Sequence, residues 1–345
     1  MYSFSGIIGK IQAETANMKI ALLLEEGSTA SSVATTLDMF RLAQRYQPEV
    51  GWQPHLFSTH GGLVHLADML VIKTQQLPVD LSGYDAIILP GFFAESVERI
   101  AERLQTTWRS VIARLQKLPD TTLVAASCYG TFVLAEARLL DKVPATTTWW
   151  FADAFRQRYP QVKLDADKTL VDSGRAITAG AMTAHTDLVL HVLRRLGGVA
   201  LARNVSGIML VDGARSSQRP FMSVQKEFEE PLIRNAITWL GKHLAQSIAI
   251  DDLANAMHVS YRTLNRRFIE VTGMAPLAYL QALKIERAKE LLEVSNSDFE
   301  AITAKVGYED ASSFRRLFKR ATGLSPAQYR RQFKRDMSKP NSRAK

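Results

Sequence analysis

Four short aliphatic runs punctuate the first two hundred residues: "KIALLLEE" from Lys19, "DAIILPG" from Asp85, "TTLVAAS" from Thr121 and "RAITAG" from Arg175. Each is bounded by polar or turn residues, the pattern of a strand buried on both faces. Between them apolar positions recur at helical spacing, as in "SSVATTLDMFRLAQRY" and "AHTDLVLHVLRRLGG". Buried strands alternating with amphipathic helices predict a largely parallel sheet covered on both sides. Ligands in such folds sit beyond the carboxyl ends of the strands, and Cys128 falls at one of those ends.

Near Gly207 the alternation stops. "GARSSQRPFMSVQKEFEEP" is rich in polar and turn residues and reads as a connector. From Leu232 onward every periodic segment is helical, with stops at "TG" and "SP". The predicted organisation is an extension (1–18), an α/β domain (19–205), a linker (206–231), an all-α domain (232–333) and a basic tail (334–345).

The all-α part contains a repeat at an offset of 50: "RRFIEVTGMAPLAY" from Arg266 matches "RLFKRATGLSPAQY" from Arg316. Upstream, "LANAMHVSYRTL" parallels "ITAKVGYEDASSF", with one extra residue in the second turn. Each copy reads as helix, tight turn, helix, with Ser260 and Asp310 as N-caps of the second helices. Gly273 and Gly323 stand where a left-handed cap ends a helix, and proline follows to prevent continuation. "PLAYLQALKIERAKELLEVS" is expected to form one long helix joining the copies.

In the second helices Leu264 and Phe268, and likewise Phe314 and Phe318, lie one turn apart and are expected to face inward. Tyr261, Arg262, Asn265, Arg266 and Ile269 remain on the other side of copy one; Ser312, Arg315, Arg316 and Lys319 remain in copy two. Arginine reads guanine bidentately and asparagine reads adenine, so this stripe suits the major groove, although each arginine alone also suits a phosphate. Two such helices on one stiff rod would reach successive major grooves, about 34 Å apart.

The charge balance points the same way. The chain holds 43 Lys+Arg and 34 Asp+Glu; 20 and 11 of these lie in 232–345, leaving 23 of each sign in 1–231. The whole excess of +9 is therefore in the last third, as expected of a polyanion-binding module attached to a neutral domain. The single cysteine rules out an intramolecular disulfide and fits a reducing cytoplasm. No apolar run approaches the ~18 residues of a membrane span, and the start lacks the hydrophobic core of a secretory signal.

The segment Leu232 to Gln332 resembles the DNA-binding domain of AraC/XylS-type regulators; "KVGYEDASSFRRLFKRATGLSPAQYRR" carries the resemblance. It implies two helix-turn-helix units, binding to double-stranded promoter DNA, and transcriptional control in response to a small molecule. RNA polymerase would be a partner if the protein is an activator. The tail "KRDMSKPNSRAK" is expected to be disordered, at most touching phosphates.

The α/β part resembles the PfpI-like branch of the class I glutamine amidotransferase superfamily. The carrying segments are "LDMF" at Leu37, "ILPGF" at Ile88, "ASCYGTFVLAEARLLD" at Ala126 and "AITAGAMTAHTDLVLHVL" at Ala176. The resemblance implies a flavodoxin-like domain with Cys128 on a sharp elbow, where helix dipole and amides would lower the thiol pKa. The accessory residues of catalytic relatives are missing, however. Tyr129 replaces a histidine after the cysteine, Ser32 a glutamate, Phe92 a second glycine after Gly91, and Thr148 a histidine before Trp149.

A nucleophile needs a base and something to orient it, so turnover is not expected. Cys128 is left as a packing residue or as part of a vestigial effector pocket with Ser32, Gly91, Phe92, Tyr129, Thr148 and Trp149; redox sensing would require exposure and a lowered pKa. Phe92, Tyr129, Trp149 and Trp150 offer either an aromatic surface for an amine or core contacts. His185 and His191 read as satisfied or exposed histidines. No metal-ligand spacing or phosphate loop is present, and no cofactor is expected. The combined expectation is a cytoplasmic, homodimeric DNA-binding regulator with a non-catalytic sensor domain for an amino acid or amine; the alternatives are a cysteine hydrolase or glyoxalase-like enzyme fused to a DNA-binding domain, and a constitutive DNA-binding protein with a purely structural, dimerising first domain.

Overall fold

The computed structural model describes residues 17–67, 70–212, 215–224 and 228–334. The extension, apart from its last two residues, and the tail beyond Lys334 lie outside the described residues. The chain divides into two units, Met1–Ser216 and Ser217–Lys345.

The described residues of the first unit include ten strands: β1 (Lys19–Leu23), β2 (Gln53–Ser58), β3 (Gly62–Ala67), β4 (Leu70–Gln76), β5 (Ala86–Leu89), β6 (Leu123–Ser127), β7 (Pro144–Ala145), β8 (Lys163–Leu164), β9 (Leu170–Asp172) and β10 (Ala176–Ala179). Eight of them form one sheet in the order β3-β4-β2-β1-β5-β6-β10-β9. The four aliphatic runs are its adjacent parallel centre, β1-β5-β6-β10. Strands β3 and β9 pair antiparallel at the two edges.

Among the described residues six α-helices cover this sheet: α1 (Ala30–Tyr46), α2 (Val97–Gln105), α3 (Arg109–Leu115), α4 (Gly130–Glu136), α5 (Ala152–Arg158) and α6 (Ala184–Met209). Strand periodicity sorts the core into two layers. Ala21, Leu23, Ile87, Leu89, Val124 and Ala126 face the side of α2 to α5, whereas Ile20, Leu22, Ala86, Ile88, Leu123 and Ala125 face α1 and α6.

Residues 206–231, read as a connector, are divided between the units. Helix α6 kinks at Gly198 (φ 85°) and its second part ends at Met209; Arg215 then pairs with Asp187 at 2.9 Å, and the Thr169 amide donates to the Ser216 carbonyl. In the second unit the Phe221 ring meets that of Phe333, and Lys289 Nζ donates to the Met222 carbonyl at 2.8 Å. The described residues Arg215, Ser216, Phe221 and Met222 are thus each held by a contact within their own unit.

The described residues of the second unit form seven α-helices: α7 (Pro231–His243), α8 (Ile250–Ala256), α9 (Tyr261–Thr272), α10 (Pro276–Val294), α11 (Phe299–Lys305), α12 (Ala311–Thr322) and α13 (Pro326–Phe333). It has two cores. One joins α7, α8, α9 and the first half of α10 through Leu264, Phe268 and Tyr279; the other joins the second half of α10 to α11, α12 and α13 through Phe314, Phe318 and Tyr329.

Candidate nucleic-acid interface and the Cys128 elbow

The two copies of the repeat fold alike. The turn 257–260 links α8 to α9, and the turn 306–310, one residue longer, links α11 to α12. Left-handed residues stand in both, His258 at φ 56° and Gly307 at φ 67°. Ser260 Oγ accepts from the Thr263 amide, and the Asp310 carboxylate accepts from the Ser312 and Ser313 amides, so free helix N–H groups are capped. Gly273 (φ 72°) and Gly323 (φ 76°) close α9 and α12 in the conformation that glycine adopts without strain.

Leu264, Phe268, Phe314 and Phe318 are wholly buried. That fixes the rotation of α9 and α12 and turns the opposite stripes outward: Tyr261, Arg262 and Arg266 in copy one, Ser312, Arg315, Arg316 and Lys319 in copy two. Asn265 is half-buried. Arg262 and Lys319 make no ion pair among the described residues. The other arginines are engaged within the unit: Arg266 with Glu270 at 2.8 Å, Arg315 with Glu300 at 2.7 Å and Arg316 with the Ser313 hydroxyl at 2.8 Å. Periodicity finds the stripe but not these partners. Glu270 and Ser313 lie within one turn of Arg266 and Arg316 on the same helices, whereas Glu300 reaches Arg315 from another helix and no local spacing announces it.

In the first unit, strand β6 ends at Ser127 and Cys128 turns the chain at φ 53° before α4 begins at Gly130. Two glycines make room. A Cβ on Gly130 would lie 2.7 Å from the Pro90 carbonyl oxygen, and one on Gly91 would lie 2.6 Å from Cys128 Cβ. The Cys128 amide donates to the Ala179 and Gly180 carbonyls, and its carbonyl accepts from the Thr131 hydroxyl at 2.7 Å.

The elbow is present, but the expected lowering of its thiol pKa is corrected: burial pushes Cys128 up to about 12. With the residue 7% exposed, desolvation of a thiolate outweighs the lowering that the Tyr129 backbone hydrogen bond supplies. The lowered pKa and exposure that redox sensing needs are both missing.

Of the proposed pocket residues, Ser32, Gly91, Phe92, Cys128, Tyr129 and Thr148 are buried and Trp149 is half-buried. Gly91 packs directly on Cys128, while Phe92 meets Trp108 at 5.3 Å and Tyr129 at 5.7 Å between ring centres. Tyr129 also stacks on Phe151 and accepts from Trp150 Nε1 at 2.7 Å. Phe92 and Tyr129 are therefore core, and Trp149 and Trp150 form a partly exposed pair with centres 5.3 Å apart. Thr148 is fully buried, and its Oγ1 has no hydrogen-bond partner among the described residues.

His185 is buried among the helices beside this elbow. Its Nε2 lies 2.8 Å from Thr36 Oγ1 and its Nδ1 2.8 Å from Ser127 Oγ. Because the Thr36 hydroxyl donates its proton to the Ser32 carbonyl, Nε2 carries the ring proton and Ser127 donates to Nδ1. Burial pushes the His185 pKa down to about 3, so the ring is neutral and both nitrogens are occupied. His191 instead pairs with Asp172 at 2.7 Å.

Sequence reasoning missed Glu25 and Arg103. Glu25 lies beyond the end of β1, accepts from the Thr59 amide and is pushed above the usual carboxylate range by burial. Arg103 lies 4.6 Å from the centre of the Phe92 ring and donates to the Phe93 carbonyl at 2.8 Å and to that of Glu26. Their partners come from separate loops, so no local motif announces them. Among the described residues no group of acidic, histidine or cysteine side chains could hold a metal ion. No helix there is long and apolar enough to cross a membrane.

Comparison with known proteins agrees with this geometry. Residues 18–195 match the DJ-1/PfpI family and residues 253–332 match a helix-turn-helix domain. The transcriptional regulator GbdR of Pseudomonas aeruginosa is 24% identical over 310 residues, covering 89% of this chain and 82% of that one. The regulator CdhR of the same species is 25% identical over 312 residues, covering 89% and 90%. Among solved structures, an AraC family transcriptional regulator from Pseudomonas putida shares 18% identity with a TM-score of 0.45, over 56% of this chain and 99% of that one. With the first match spanning more than half of its length, the chain belongs to the DJ-1/PfpI family, joined here to a helix-turn-helix domain of AraC type.

Proposed function

We propose that the protein is a sequence-specific transcriptional regulator that acts in the cytoplasm on promoter DNA. The observation that carries this reading is the duplicated α8–α9 and α11–α12 unit, in which buried phenylalanines hold an exposed arginine-bearing stripe outward. Tyr261, Arg262, Asn265 and Arg266 read one major-groove segment; Ser312, Arg315, Arg316 and Lys319 read the next. Relatives named as transcriptional regulators over nearly the whole chain support it.

In this reading the DJ-1/PfpI unit is a sensor without turnover. A buried thiol held near pKa 12 is the wrong state for a nucleophile at neutral pH, and both His185 nitrogens are taken. The ligand is a small metabolite, an amino acid or amine, met first by Trp149 and Trp150 and then by the unpartnered Thr148 hydroxyl. The working form is a homodimer, and effector binding shifts it between two arrangements of differing DNA affinity. An activating member would also touch RNA polymerase.

Selection of bound genomic fragments in vitro, with and without amino acids and amines, tests the whole reading. Enrichment of a two-part motif whose occupancy changes with one metabolite is expected. Equal binding to all fragments would refute it, and substrate turnover abolished by Cys128→Ala would restore the enzymatic alternative.

A further inference from the structure

Lys284 lies midway along α10, between Leu283, which belongs to the core of the first helix-turn-helix unit, and Ile285, which belongs to that of the second. A lysine there is unexpected, since the side chain is only 3% exposed. Its ammonium donates to the Gln246 carbonyl at 3.0 Å and to the Gly307 carbonyl at 2.7 Å. It also lies 5.5 Å from the centre of the Tyr308 ring.

The two acceptors come from different halves. Gln246 is in the loop between α7 and α8, and Gly307 is in the turn of the second helix-turn-helix. At the same point the two backbones touch: a Cβ on Gly307 would lie 2.4 Å from the Gln246 carbonyl oxygen. Burying an ammonium is costly unless it is hydrogen-bonded, and here the bonds are made to both halves at once. A connecting helix alone would fix the distance between the halves but leave the second free to rock about the α10 axis.

We propose that Lys284 is a positioning residue that locks the two helix-turn-helix units into one rigid reader, and thereby sets the base-pair spacing the protein accepts. It touches no base in this account; it acts through the angle between α9 and α12. The proposal rests on the DNA-binding reading only for its consequence on spacing, because the lock itself is a property of the free protein.

The first test therefore uses no DNA. Nitroxide labels at Arg266→Cys and Lys319→Cys in the full chain report the separation of α9 and α12. The wild-type background should give one narrow distance distribution, Lys284→Met should broaden or split it, and Lys284→Arg should restore it. An unbroadened distribution in folded Lys284→Met overturns the proposal. Should that variant fail to fold, Gly307→Ala, which drives the two backbones apart and leaves the lysine in place, must broaden the distribution; if it does not, the proposal is equally overturned.

The second test uses duplexes recovered by in vitro selection, without the labels. Inserting two base pairs between the half-sites rotates one by about 70° around the duplex. That should weaken wild-type binding by about tenfold or more, because a rigid pair cannot engage both halves. Lys284→Met should lose most of this discrimination while binding isolated half-sites like the wild type. Equal spacing discrimination in both proteins overturns the proposal. A selection that enriches no sequence would instead defeat the DNA-binding reading, and the label distances would still decide the lock.

Discussion

Arg315 on α12 is held by Glu300 on α11 at 2.7 Å, with its guanidinium 5.3 Å from the centre of the Phe299 ring. The arginine is 47% exposed and the glutamate 63%, so salt screens the pair and it adds little to stability. Its importance is competitive, since a guanidinium engaged with Glu300 must release it to make a bidentate contact with a base. Glu300→Gln is expected to tighten DNA binding, most at low salt, as read by fluorescence anisotropy across a salt series. Weaker binding would mean that Glu300 holds Arg315 in its reading position.

Arg315→Ala separates base reading from phosphate contact. If Arg315 reads a guanine, affinity for the selected site falls by about 1–3 kcal/mol and preference relaxes at one position. Equal losses on selected and random duplexes would assign the residue to the backbone.

Cys128 is expected to be inert. With its thiol pushed up to about 12 by burial, alkylation by iodoacetamide at pH 8 should be far slower in the native protein than in urea. Rapid native modification, followed by mass spectrometry, would show that the elbow opens and would reinstate redox sensing.

His185 should make the first unit acid-sensitive. Its folded pKa of about 3 lies below the unfolded 6.5, so the unfolded chain takes up the extra proton. The resulting stability is complete above pH 6.5 and is lost as pH falls toward 3, at up to about 1.4 kcal/mol per pH unit. His185→Gln should flatten that slope in urea titrations at several pH values, while costing stability at pH 7 through the Thr36 and Ser127 bonds it disturbs.

Glu25 has the opposite sign. Burial raises its folded pKa above the unfolded value, so its contribution favours the fold at acid pH and is lost as pH rises through the folded pKa. Glu25→Gln keeps an oxygen to accept from Thr59 and removes the charge. The variant should be more stable than wild type at neutral pH and indistinguishable in acid, by thermal melts. A less stable variant at neutral pH would show that Arg103 and His60 outweigh desolvation.

Much of this protein is written locally. The central strands announce themselves as aliphatic runs because both faces of each are covered, and the outer strands β2, β3 and β4 escaped notice because their burial is patchy. The caps at Ser260, Asp310, Gly273 and Gly323 need only neighbours within a turn, and the repeat displays each of its parts twice. Cys128 was recognisable at an elbow for the same reason, since a strand end and a helix start are short-range features.

Tertiary structure decided the chemistry. Whether Cys128 is a thiolate or a thiol depends on Gly91, Phe92 and the other segments that displace water from it. His185 is neutral because remote segments bury it, and its two nitrogens are met by Thr36 and Ser127, 149 and 58 residues away. The acceptors of Lys284 lie 38 and 23 residues distant. Periodicity and capping are set by the chain within a few residues, whereas exposure, protonation and ion pairing are set by which remote segments arrive beside a group and exclude solvent from it.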